Sequence, residues 1–396
     1  MDSIINKNNF SRFIWIGIAI LASKAYLLFF PYFFNGVLYN QFNKIYFTAS
    51  LIILFSSFGF NISTALFKFN KITVLTGVLS NSIITLIILS LISINDMTFG
   101  FIFTVIIYSV INSFIGIYSF KILFDGNYKQ STIITFLVSI SNILIIPLVL
   151  LAHTSIEISL LTASLVSFVI TYKIIFRQEL TSKRKGGFKE LYTVGISAFI
   201  INNIVPFALI ADKYFANHYF EIPVANAYTF AWSLTAPIFY IGNVIEKMIF
   251  SGKGNNAVKI FWNSFSLLFL LILLYNTVLI IGLNYLTFLF PKTIDIKLLR
   301  SIVYFMSSGY SFYVLFHFPV NGILFKYTKI LTQEKIAAAY VILAAVCVVV
   351  MISLKEFLMI RQYKQLLFVV WIFIFSLLGI KILLMLYKQN ELGKNT

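Results

Sequence analysis

The stretch FIWIGIAILASKAYLLFFPYFFNGVL, residues 13–38, is apolar almost throughout and carries a single charge, Lys24, near its middle. About 20 such residues in a helix reach across the hydrocarbon of a bilayer, so the run reads as a transmembrane span. An ammonium at mid-membrane depth costs about 2.5–3.5 kcal/mol on insertion scales, and Lys24 is therefore expected to face protein or water. The surrounding chain repeats the pattern. Of its 396 residues 60% are hydrophobic and 11% charged, a balance that a water-soluble core of this size does not need.

Working outward, about twelve spans follow from hydropathy: 13–38, 45–67, 72–94, 99–121, 130–152, 155–176, 193–213, 224–250, 262–288, 298–322, 336–353 and 366–387. Connections between them are short. The stretch from Arg177 to Glu190 stands apart, because Lys183, Arg184, Lys185, Gly186 and Gly187 make a basic, flexible break half-way along the chain. The expected organisation is an all-α integral membrane protein in two six-helix halves: 1–182, a basic cytoplasmic linker at 183–190, and 191–396. A faint echo at a shift of 182 lays Tyr46, Ala49 and Asn61 on Tyr228, Ala231 and Asn243, as a repeated bundle would.

The net charge of +17 lies in the short connections, without a basic groove or stacking platform, so nucleic acid is excluded as a partner. These charges report topology. With the central linker cytoplasmic, 21 Lys and Arg fall inside and 8 outside, and both termini are expected in the cytoplasm. The bias is 12 to 1 through the linker and 9 to 7 after it, so orientation is encoded chiefly in the first half. Lys7 and Arg12 precede a long first run that lacks a small-residue cleavage site, and an uncleaved first helix is expected. Cys347 is the only cysteine and lies in an apolar run, which leaves no disulfide framework or thiol cluster.

No enzyme motif is present: HExxH, a Walker loop, a GxSxG elbow and paired acidic residues are all missing, and His153, His218 and His317 are widely separated. No metal or cofactor is expected, although coupling to an H+ or Na+ gradient is compatible with the chain. The candidate site residues are therefore the polar groups inside apolar spans. Lys24 could hold a phosphate or carboxylate in a water-filled cavity, with Pro31 allowing a kink; the competing readings are snorkelling or a structural ion pair. Asp212 could couple an ion or partner a buried base, or form a solvated interfacial pair with Lys213. Arg300 could draw an anionic head group inward or anchor its helix at lipid phosphates. His317, just before Pro319, could line a path or pack against neighbours. Glu246 and Lys247 read as a helix-terminal ion pair facing the cytoplasm. Asn61, Asn202, Asn203 and Asn243 bond neighbouring helices or contact sugar hydroxyls.

With these pieces in place, the chain resembles polysaccharide flippases of the Wzx type, in the superfamily that includes the multidrug and toxic-compound exporters. The residues that carry the likeness are Phe42-Asn-Lys-Ile-Tyr46 leading to Gly59 and Asn61, and Ala211-Asp212-Lys213-Tyr-Phe followed by Ala225-Asn-Ala-Tyr228. Asp212 and Tyr228 occupy positions that recur in similar proteins, while the glycine usual before that tyrosine is Ala227 here. The resemblance implies two six-helix bundles in a V around a central cavity. It implies alternating access that passes an undecaprenyl-pyrophosphate-linked oligosaccharide from the inner to the outer leaflet of a bacterial cytoplasmic membrane, beside membrane lipids and polysaccharide polymerase machinery. Lys24 and Arg300 would then be cavity cations, Asp212 the ion-coupling group or charge partner, and Asn61, Asn203, Tyr228, Asn243 and His317 polar cavity contacts. The alternatives are an O-antigen polymerase or ligase, whose large outer loop is missing here, and an ion-coupled multidrug exporter of the same fold. Such an exporter would place carboxylates inside the first bundle, whereas Asp96, Asp125 and Glu157 are expected in loops.

Overall fold

The computed structural model describes residues 14–15, 18, 27–57, 59–92, 98–125, 127–152, 154–177, 185–251, 257–327 and 363–392. Among them the chain is helical apart from turns, a 3-10 turn at Thr287–Leu289 and one parallel bridge between Lys68 and Lys185. The helices are α1 (Gly36–Ser57), α2 (Phe60–Leu66), α3 (Lys71–Ile92), α4 (Phe99–Phe124), α5 (Tyr128–Leu151), α6 (Ile156–Arg177), α7 (Phe188–Tyr219), α8 (Ile222–Ser251), α9 (Ala257–Tyr285), α10 (Ile296–Tyr327) and α11 (Tyr363–Leu392). By length and composition, four described stretches are apolar enough to cross a membrane: Phe99–Phe124, Lys129–Leu151, Ile156–Phe176 and Lys259–Tyr285. Others reach further than the hydropathy predicts. The 32 residues of α10 measure about 48 Å at 1.5 Å per residue, longer than the ~30 Å thickness of a bilayer's hydrocarbon, because the flanks of the apolar run at 298–322 are helical too.

Two boundaries differ from expectation. The second span begins at Gly36 instead of 45, since the Asn35 side chain accepts from the Leu38 N–H at 2.9 Å and starts a helix there. It is then cut at Gly59, which adopts φ 71° and separates α1 from α2. A side chain at Gly59 would be strained in that left-handed conformation, and its Cβ would lie 2.2 Å from the Gly195 carbonyl oxygen of α7. The twelfth span matches α11, whereas the eleventh, 336–353, lies outside the described residues.

The described chain forms two compact units that part between Ile222 and Pro223, one helix beyond the basic 183–190 stretch. In the first unit α7 lies along α1 and α2, and a core of Phe60, Val74, Val78, Phe114, Tyr118, Ile134 and Leu191 ties α2 to α7. Hydroxyls and amides stitch the same helices. Ser56 and Ser113 meet at 2.7 Å, Ser109 donates to the Ala49 carbonyl, Ser63 donates to the Leu191 carbonyl at 2.9 Å, and the Tyr192 hydroxyl donates to Asn81 at 3.0 Å. Two lysines close helix ends. Lys121 is buried and donates to the Thr64 carbonyl at 2.9 Å, while Lys71 donates to the carbonyls of Ile175 and Phe176 and lies over the Phe176 ring.

The second unit packs differently. A Cβ on Gly242 of α8 would lie 2.1 Å from the Phe318 ring of α10, so glycine permits the close approach of these two helices. Phe239 meets Tyr310 edge-on at 4.8 Å, Phe305 stacks on Trp371 of α11 at 4.3 Å, and the Tyr275 hydroxyl of α9 donates to the Leu234 carbonyl of α8.

Candidate functional site

In the first unit a group of buried polar and charged side chains, Asp212, Lys213 and Asn217, lies in the C-terminal part of α7. The helix starts where Glu190 turns back to accept from the Gly187 N–H at 2.8 Å, and it runs unbroken through Pro206 to Tyr219. Because it continues so far, Asp212 and Lys213 sit inside the helix and are 2% and 0% exposed. The Lys213 ammonium folds back on its neighbour, donating to Asp212 Oδ1 at 2.9 Å, to Oδ2 at 3.2 Å and to the Leu209 carbonyl. One turn on, Asn217 donates to the Lys213 carbonyl at 2.8 Å and accepts from Asn40 of α1 at 3.3 Å. Tyr39 and Asn43, on the same stretch of α1, are also fully buried.

This arrangement corrects the reading of Asp212 and Lys213 as a solvated interfacial pair. Removing two charges from water costs several kcal/mol per ion, which only close pairing and further hydrogen bonds can offset. Here both carboxylate oxygens and a backbone carbonyl supply them. Chemically, the site is a neutralised buried pair. An anion that drew off the ammonium, or a cation that engaged the carboxylate, would leave the other charge in need of a counterion.

The remaining candidates are spread over both units. Asn61 follows the Gly59 break, at the level where α2 meets Gly195, and is partly exposed. Asp212 lies about 25 Å further along α7, so these two are not brought together. Asn203 is a helical position of α7 between them. In the second unit Tyr228 is fully buried in a continuously buried run, Ala225 to Ala231, near the start of α8, and Asn243 is half-buried some four turns later. Arg300, in the first turns of α10, donates from Nε to the Leu283 carbonyl at 2.7 Å and from Nη2 to the Asn284 carbonyl at 3.4 Å. Its guanidinium thus closes the C-terminus of α9. His317 is 8% exposed, with its Nδ1 2.6 Å from the Tyr313 hydroxyl and the two rings stacked at 4.6 Å. Glu246 is not a simple helix-end charge: it accepts from the Asn321 side chain of α10 at 2.5 Å. Lys24 lies outside the described residues.

Sequence reading overlooked Asn40, Asn217 and the depth of Lys213. The i, i+4 spacing of Lys213 and Asn217 hints at one helical face, but hydropathy ends the span at 213 and hides it. Among the described residues no group of three or more His, Cys, Asp or Glu could hold a metal ion.

No protein-family model matches the chain, and no curated protein matches it in sequence. Solved structures do match in fold. An outward-facing multidrug resistance MATE family transporter of the MOP superfamily superposes with a TM-score of 0.62 at 14% identity, covering 97% of each chain. A MOP superfamily transporter from Pyrococcus furiosus superposes with a TM-score of 0.53 at 13% identity, over 96% of this chain and 94% of that one. The fold is that of the MOP-superfamily transporters. The expected all-α membrane architecture of about twelve helices is therefore borne out, and the MOP fold accounts for nearly the whole length of the chain. At such low identity the likeness is one of fold, so the chemistry of the cargo has to come from this chain's own residues.

Proposed function

We propose that the protein is a flippase that carries undecaprenyl-pyrophosphate-linked oligosaccharide from the inner to the outer leaflet of a bacterial cytoplasmic membrane by alternating access. The observation that carries this reading is the charge inventory laid on a MOP fold. Lysine and arginine outnumber aspartate and glutamate 30 to 13, and one of the cations, Lys24, falls in the middle of an apolar span. The buried carboxylate of α7, Asp212, is neutralised by Lys213. A pyrophosphate cannot enter hydrocarbon alone, whereas a cationic cavity shelters it while the lipid tail stays in the bilayer. A drug-cation exporter on the same fold would be favoured by a carboxylate free to attract its cargo, and the Asp212–Lys213 pairing argues the other way. Without a nucleotide motif, the cycle would draw on an H+ or Na+ gradient, with Asp212 the group to exchange partners. Polysaccharide polymerase machinery would act next on the delivered units.

The test is surface-glycan display in cells carrying Lys24→Ala, at matched protein level in the membrane. Loss of display with lipid-linked repeat units held on the cytoplasmic face is expected, and partial rescue by Lys24→Arg. Normal display by the alanine variant would remove Lys24 from the mechanism, and unpolymerised units reaching the surface would point to a polymerase instead.

A further inference from the structure

The Lys68–Lys185 bridge pairs the backbones of two lysines. Lys68 follows α2, Lys185 precedes α7, and the Gly186 N–H donates to the Lys68 carbonyl at 3.1 Å. Both lysines are exposed, and among the described residues neither lies within 4.0 Å of a carboxylate. Like charges directly opposite each other destabilise a bridge, yet Phe67 and Phe69 hold the backbone close, with the Phe69 ring 2.5 Å from where a Cβ on Gly186 would sit. Lys189 is exposed one turn into α7, and Lys71 lies at the start of α3 with its ammonium already engaged. The nearest described carboxylate in sequence, Glu190, is turned back to Gly187, and backbone hydrogen bonds from Glu190 itself and Gly187 hold it below the ordinary carboxylate range. Exposed aromatic rings, Phe188 at 47%, Tyr172 at 45% and Phe176 at 38%, belong to the same end of this unit. Exposed rings among lysines are the composition of a surface at headgroup depth.

We propose that this bridge is a binding site for the phosphate headgroup of an anionic phospholipid, with Lys68 and Lys185 as its two cations and Lys189 beside them. The headgroup neutralises the pair and so stabilises the bridge, which couples the composition of the leaflet to the strength of the hydrogen bond from the Gly186 N–H to the Lys68 carbonyl. Juxtamembrane lysines gain substantially from an anionic surface, and the gain falls away within a Debye length. The site is independent of what the transporter carries.

The full-length protein in nanodiscs of phosphatidylcholine alone, or with phosphatidylglycerol added, tests this by hydrogen exchange at the Gly186 amide. Exchange is expected to slow about tenfold in the anionic discs. The Lys68→Gln/Lys185→Gln variant, freed of repulsion, should exchange slowly in both lipids, and Lys292→Gln, at an exposed lysine of the other unit, should behave as the parent protein. Free inorganic phosphate, added to the phosphatidylcholine discs, should not reproduce the effect, because it lacks the surface that concentrates the headgroup. Equal exchange of the parent protein in both lipids would overturn the proposal, as would a lipid response that survives in the double glutamine variant or one that phosphate reproduces.

Discussion

Each of the two units of this protein is built with its own mixture of contacts. In the unit that ends at Ile222, polar contacts join helices through a serine ladder between α1 and α4 and Lys121 on the end of α2, and the Asp212–Lys213 pair lies buried inside α7. In the unit that begins at Pro223, steric contacts between helices, Gly242 under Phe318 and Phe305 on Trp371, stand beside hydrogen bonds from Asn321 to Glu246 and from Tyr275 to the Leu234 carbonyl. The lesson is about tolerance. A polar seam fails when one partner loses its counterpart, whereas a steric seam fails when volume is added.

The largest effect should come from Lys213→Met, which leaves Asp212 buried without its cation and is expected to cost about 3–5 kcal/mol. Unfolding of the purified protein in detergent should show most of that loss recovered by the Asp212→Asn/Lys213→Met double variant. If the single and double variants are equally impaired, the pair is not what the first unit depends on. Next comes Gly242→Val in the second unit, expected to cost about 1–3 kcal/mol by overpacking against Phe318. Phe318→Leu in the same chain should restore part of it, and a valine variant as stable as the parent would mean that α8 and α10 do not meet as closely as described. The smallest is Ser113→Ala, at about 0.6 kcal/mol, the average for an interhelical hydrogen bond in a membrane. A loss several times larger would make the α1–α4 ladder cooperative instead of a sum of weak contacts.

Much of the architecture was legible in hydropathy because the bilayer imposes one length on every span. The limits of α4, α5 and α6 fall within a few residues of the runs at 99–121, 130–152 and 155–176. Errors arose where polarity is carried inside a helix. The span ending at 213 continues to Tyr219, since Asp212 and Lys213 satisfy each other and need no exit to water. Hydropathy ran past Gly59 for the opposite reason, although the resemblance put the end of the second helix near Gly59 and Asn61: the apolar run continues across it, and the left-handed backbone and the nearby α7 carbonyl exclude a side chain there.

Of the candidate residues, the sequence could say that each is polar in an apolar setting, but it could not say whose hydrogen bonds they make. Arg300 was read as a cation free for an anion or a lipid phosphate, and it closes the end of α9; Glu246 was read as facing the cytoplasm, and it holds Asn321. By itself, then, the sequence determined that this is a polytopic helical membrane protein and set the expected orientation of its early loops, because transfer energies are properties of residues taken one segment at a time. Only the tertiary structure decided which charges are neutralised and which helices touch through glycine or serine. Most of those depend on partners tens of residues or more away, 57 for Ser56 and Ser113 and 177 for Asn40 and Asn217, and such pairing is a property of contacts that no local window of sequence contains.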